Sequence, residues 1–161
     1  MVRTLIVWAL LVGTALTSQA SAQDEPDGAE LKGFMAGSQA VDAFIKALRN
    51  HDLDGLMKTV DVPFFKDGKE IVRTDEELRN FFQPPLEEKG FSELKADIME
   101  VQQFKDVRDK ATGDAGELLK KVAQDDDLMF RLTVNWGSKT EGMMLLVRVK
   151  EGGPKIIGLR D

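Results

Sequence analysis

Leu128-Met129-Phe130-Arg131-Leu132-Thr133-Val134-Asn135-Trp136 is the stretch that decides the fold. Leu128, Phe130, Leu132, Val134 and Trp136 take every second position, with Met129, Arg131, Thr133 and Asn135 between them. Side chains of a strand alternate between faces, so this period of two predicts a strand with one apolar face. Gly137-Ser138 supplies a turn, and Met143 to Lys150 reads as the partner strand. With a two-residue turn Trp136 faces Lys139, and Leu132 pairs with Met143, Phe130 with Leu145 and Leu128 with Val147. A slip of one residue would set Leu128 against Arg148, so the apolar pattern selects the first register. Gly152-Gly153 makes the next turn and Ile156 to Arg160 the last strand, whose two faces are too alike to fix its register.

Upstream, residues 108–127 form a charged segment with a helical core around Glu117 to Val122, and Leu94 to Val107 reads as one long strand. Ser38 is an expected N-cap for a first helix whose Val41, Phe44, Ile45 and Leu48 repeat at i, i+3, i+4, i+7. Asn50-His51-Asp52 ends that helix, and Asp52 is placed to cap a second one carrying Leu53, Leu56, Met57 and Val60. Pro63-Phe64-Phe65 starts an extended segment, Asp67-Gly68 a hairpin turn, and Glu70 to Arg73 the return strand. Thr74 to Glu77 is a capping box for a third helix with Leu78, Phe81 and Phe82, which Pro84-Pro85 should stop or kink. Helices followed by a run of strands define an α+β chain.

The 161-residue sequence opens with a processing pattern. Arg3 gives a charged start, Leu5 to Leu16 an apolar run, and Ala20-Ser21-Ala22 a small-residue cleavage site. That run is shorter than the roughly 20 residues a spanning helix needs. The expected division is a signal peptide over 1–22, a flexible lead-in over 23–36 and a single domain over 37–161. The expected location is exported, either periplasmic or secreted, with no membrane span after processing. Loss of Arg3 with the leader takes the formal net charge from −6 to −7. An acidic surface argues against nucleic acid or anionic lipid as partners, since both bind basic patches. A hydrophobic content of 42% is enough for a core without disulfides, and there is no cysteine.

The helical segment Ala40 to Met57, the stretch Val62-Pro63-Phe64-Phe65 and the closing segment Leu145 to Ile157 resemble the nuclear-transport-factor-two-like, or SnoaL-like, superfamily over about 38–161. The resemblance implies a cone-shaped domain: a curved antiparallel sheet wrapped around the N-terminal helices, leaving a hydrophobic cavity. It fixes no chemistry, because one fold hosts enzymes, binding modules and dimerisation domains. The segment 108–127 is longer than a hairpin connection needs, which leaves it to lid the cavity or to cover the sheet.

Enzymes of this superfamily often use a tyrosine or a His–Asp pair. This chain has no tyrosine and one histidine, His51, placed as a turn residue between helices. Asp61 and Asp97 are the positional candidates for a lone carboxylate, although Asp97 falls on the solvent phase of its strand. Asp125-Asp126-Asp127 lacks the alternating ligands, glycine turn and distal acid of a calcium loop and reads as a solvated loop. One histidine and no cysteine exclude zinc. No catalytic residue, metal ligand or cofactor is therefore expected. Phe64, Phe65, Phe81, Phe130, Trp136 and Met143 are the candidates to line a pocket.

The composite expectation is a non-enzymatic domain that binds a small apolar ligand or a protein partner. The alternatives are a lyase or isomerase using one buried carboxylate of raised pKa, and a structural dimerisation module. Met129, Met144 and Leu146 on the face opposite Phe130 predict a homodimer, unless residues 108–127 fold back over them. Amino-terminal sequencing of exported material is expected to begin at or near Gln23; a start at Met1 in that fraction would refute the cleavage.

Overall fold

Apolar periodicity begins earlier than Ser38 and so does the first helix. The computed structural model describes residues 28–87 and 91–160, so the leader lies outside the described residues. Helix α1 spans Gly28–Arg49, which makes 28–36 helical rather than part of a flexible lead-in. Ser38 lies inside it, its hydroxyl donating to the Phe34 carbonyl at 2.9 Å. Phe34 packs against the core upstream of Ser38, so burial extends the helix past the expected cap. At the other end the Asp52 N–H donates to the Ala47 carbonyl and the His51 N–H to Leu48, a Schellman closure. His51 takes the left-handed residue of that motif, φ 54°, where glycine is usual.

Asp52 caps helix α2 (Leu53–Thr59) as expected, its carboxylate accepting from the Gly55 N–H at 2.8 Å. Strands β1 (Val60–Lys66) and β2 (Glu70–Val72) form the short hairpin. Helix α3 (Asp75–Glu87) opens on the capping box: the Glu77 N–H donates to Thr74 Oγ1, and the Thr74 N–H returns to Glu77 Oε2. The backbone N–H of Arg73 and the contacts from Thr74 hold the Glu77 carboxyl below the usual range. Pro84 and Pro85 do not stop α3, which runs on to Glu87 and buries Leu86. The His51 imidazole donates from Nδ1 to the Leu86 carbonyl, satisfying one of the open carbonyls at that helix end.

Strand β3 (Lys95–Gln103) is shorter than the expected strand, because the chain turns into a single helical turn, α4 (Phe104–Val107), around the buried Phe104. A 3-10 turn over Arg108–Lys110 and helix α5 (Gly113–Val122) follow. Strands β4 (Leu128–Trp136), β5 (Lys139–Arg148) and β6 (Lys155–Arg160) finish the chain. The β4–β5 register is the one read from the sequence: Trp136 faces Lys139, Leu132 Met143, Phe130 Leu145 and Leu128 Val147. The ambiguity of β6 is resolved by an irregularity. Leu146 pairs with Gly158 and Val147 with Ile156, leaving Ile157 as the extra residue.

The cone-shaped, all-antiparallel wrap is corrected by the sheet itself. Its order is β2-β1-β6-β5-β4-β3, with β1 and β6 parallel, so the sheet is mixed and open. Its two edge strands, β2 and β3, do not pair with each other, and β2 is only three residues long. Two apolar clusters explain why it stays open. On the inner face α1, α2 and α3 pack against Phe64, Phe130, Leu132 and Leu145. On the outer face Phe65, Leu146 and Ile157 pack with Phe104, Leu119 and Val122. A sheet clothed by helical segments on both faces is a middle layer rather than a wrapper.

The inner face is packed with aromatic and aliphatic side chains. Phe44, Phe64 and Phe82 meet edge to face, with ring centroids 5.9 and 5.7 Å apart. A Cβ added at Gly37 of α1 would lie 2.8 Å from the Phe130 ring, so helix and ring touch directly. Phe130→Ala is expected to cost about 3–5 kcal/mol in urea unfolding, since the ring is wholly buried. A loss under about 1 kcal/mol would show that this face is not the core.

Candidate functional site

Sequence periodicity on the outer face points the site away from the inner core. Phe65 of β1 turns outward, as do Leu146 of β5 and Ile157 of β6, and all three are fully buried. Gly158 lies between two of them: a Cβ there would stand 3.0 Å from Phe65 Cβ and 3.2 Å from Leu146 Cβ. Over them lies the segment that runs from Phe104 to Asp127. The segment therefore covers the sheet instead of lidding a cavity, and Leu146, expected at a dimer contact, is buried within one chain. Met129 and Met144 remain only partly covered.

The excursion is stitched at its base. The Phe104 N–H donates to the Asp127 carbonyl at 2.8 Å and the Lys105 N–H to Asp125 at 3.1 Å. Asp127 is 1% exposed, contrary to the reading of the acidic run as a solvated loop. Its carboxylate accepts from Arg148 Nε at 2.9 Å, from Arg148 Nη2 at 2.6 Å and from the Gln124 N–H at 2.8 Å. The same guanidinium donates to the Val122 carbonyl at the C-terminus of α5, at 2.8 Å, where a cation also favours the helix dipole. Asp125 pairs with Arg108. The signal in the sequence was Arg148, a lone charge inside the otherwise apolar run Met143 to Val149.

Between this segment and the sheet lies a cleft of about 260 Å³ lined by Phe65, Leu119, Met129 and Met144, with Lys110 and Arg160 at its rim. A second cleft of about 250 Å³ adjoins it across the same two methionines and continues to Gln102, Glu100 and Arg131. Arg131 and Glu100 form an ion pair at 3.5 Å on that side. Sequence reasoning placed the methionines on this face but missed Lys110, which lies in the excursion, and Arg160, which lies on a strand whose faces the sequence does not distinguish.

The six pocket candidates are divided by the sheet. Phe64 and Phe130 are wholly buried in the inner core, with Phe81, Trp136 and Met143 partly buried against it. Phe81 lies 6.2 Å from Phe64 and under the Lys66 ammonium at 4.8 Å, while Trp136 faces Phe91 at 6.3 Å. Phe65 alone among the six lines the outer cleft.

The candidate carboxylates are placed elsewhere. Asp97 is exposed on β3. Asp61 lies in a charged cleft of about 560 Å³ with Asp75, Glu76, Arg79, Lys150 and Lys155. Partial burial pushes its carboxyl up. The Lys150 hydrogen bond, the Val62 N–H at 2.9 Å and the charges of Lys150 and Lys155 outweigh that and hold it below the usual range. It is thus a stabilised anion, not a proton carrier of raised pKa.

No protein-family model and no curated protein sequence matches the chain. Solved structures do. The chain is similar to an NTF-2-like protein of unknown function from Shewanella oneidensis MR-1, at 15% identity and a TM-score of 0.52, over 79% of this chain and 96% of that one. It is similar also to a protein of unknown function with a cystatin-like fold from Nostoc punctiforme, at 16% identity and a TM-score of 0.51, over 79% and 87%. These likenesses show the nuclear-transport-factor-two-like fold and nothing of the chemistry.

Asp127→Ala is expected to cost about 3–5 kcal/mol, because it strands a mostly buried guanidinium. The double change Asp127→Ala with Arg148→Met should recover much of that loss in urea unfolding. Strictly additive losses would show that the pair is not coupled.

Proposed function

We propose that this chain is an exported, non-enzymatic binding domain whose contact site is the methionine-lined groove on the outer face of its sheet. The observation that carries the reading is the continuity of two clefts through Met129 and Met144, both only partly covered at the border of the apolar cluster on that face. Methionine is unbranched and polarisable, so it lines surfaces that adapt to an apolar ligand. Export is supported by the charged start, apolar run and small-residue site over 1–22.

The lyase or isomerase reading asked for a buried carboxylate of raised pKa, and Asp61 is shifted the other way. Asp127 is buried but has its oxygens committed to Arg148 and Gln124. A dimer through the outer face would have to be built on Met129, Met144 and their polar neighbours, since Leu146 is already covered.

Nile red, a neutral apolar dye, tests the groove. One dye per chain is expected, with a blue-shifted emission. Met144→Glu should weaken it at least tenfold while leaving the melting temperature within a few degrees, as Met144 is a partly exposed side chain. Unchanged binding in that variant would place the site elsewhere.

A further inference from the structure

The groove has a chemical polarity. Its larger cleft is lined by apolar side chains, yet both charged residues that line it, Lys110 and Arg160, are cations. Among the described residues no aspartate or glutamate lines it, in a chain with 28 acidic against 22 basic residues. Neither cation has an ion-pair partner among the described residues, whereas Arg108, Arg131 and Arg148 are each paired with a carboxylate. Thr112 lines the same cleft, and its hydroxyl makes no capping bond to α5. The other clefts differ: those beside Asp61 and beside Arg49 and Lys95 carry charges of both signs.

Resting on the binding reading above, we propose that the occupant is a free single-chain amphipathic carboxylate. Its aliphatic chain lies over Met129 and Met144, in contact with Phe65 and Leu119. Its carboxylate sits at the rim, where Lys110 and Arg160 supply charge-assisted hydrogen bonds. Arg160 is the neighbour of Met144 across the β5–β6 ladder, so one cation stands next to the apolar floor. Charge alone would select any small anion, and the apolar floor alone would select any hydrocarbon. The combination selects a molecule that carries both.

The test is calorimetric titration of the full mature chain with sodium octanoate and decanoate below their micelle concentrations. Decan-1-ol, decyltrimethylammonium and inorganic phosphate are run in parallel. Decanoate should bind one per chain and about fourfold tighter for each methylene added from octanoate. Phosphate alone and the decyl cation should not bind. The double variant Lys110→Gln with Arg160→Gln should lose at least tenfold for decanoate with decanol unchanged, and Arg160→Lys should retain binding; circular dichroism melts confirm that both exposed changes leave the fold intact. Equal binding of decanol and decanoate, indifferent to the double variant, overturns the carboxylate and leaves the apolar groove standing. Binding of none of the aliphatic probes overturns the groove as well. Sedimentation with phosphatidylglycerol vesicles in the absence of decanoate binding overturns the free carboxylate in favour of a lipid surface.

Discussion

Leu145, Leu146 and Val147 are consecutive and all wholly buried, and the architecture depends on that constraint. Successive residues of a strand point to opposite faces, so a run buried throughout requires a covering layer on each side. α1 supplies the inner layer through Gly37, Phe44 and Leu48, and the segment from Phe104 to Val122 supplies the outer one. Once both faces are clothed, the sheet gains nothing by curling back on itself. The open order β2-β1-β6-β5-β4-β3 follows from this double burial.

The outer layer is held to the sheet by the apolar contacts of Phe104, Leu119 and Val122. Its buried polar tie is the Asp127–Arg148 pair, which joins β5, the start of β4 and the C-terminus of α5. Burying two charges is costly, and replacing such a pair by well-packed apolar groups is often neutral or stabilising. What the pair adds here is position. All four of its hydrogen bonds end on or next to the α5–β4 connection, so the helix is set at one place over the sheet.

Much of this was legible in the residues. The alternation from Leu128 to Trp136 fixed a register that the structure reproduces pair by pair, because a slip would have turned every core side chain outward. Asp52 and the Thr74–Glu77 box were legible because capping is local chemistry. The start of α1 was not, since Phe34 packs on the folded core and Gly37 lies against Phe130 and Leu128, far along the chain. That the prolines would not stop α3 was not legible either: Leu86, buried just past them, lies within the helix. The cone came from a likeness of element order, and element order does not say how many faces of a sheet are covered. Of the site, Met129 and Met144 were visible as apolar residues on the wrong face. The cations beside them were not, as only the folded excursion brings Lys110 to the end of β6.

The position of the groove follows from length. A ten-residue helix extends ~15 Å, while six strands at ~4.8 Å spacing span ~24 Å between the outermost strand axes. α5 therefore covers only part of the outer face, and the composition of that face tracks the limit of coverage. Under the helix it carries Phe65, Leu146 and Ile157. Beyond it, towards β3, it carries Glu100, Gln102 and Arg131, which water solvates. Met129 and Met144 stand at the seam between these regimes, half covered on one side and bare on the other. Filling the seam with bulkier β-branched residues would seal the outer core more tightly. Two flexible thioethers instead leave an adaptable trough at the only boundary on this face where apolar floor and basic rim meet among the described residues.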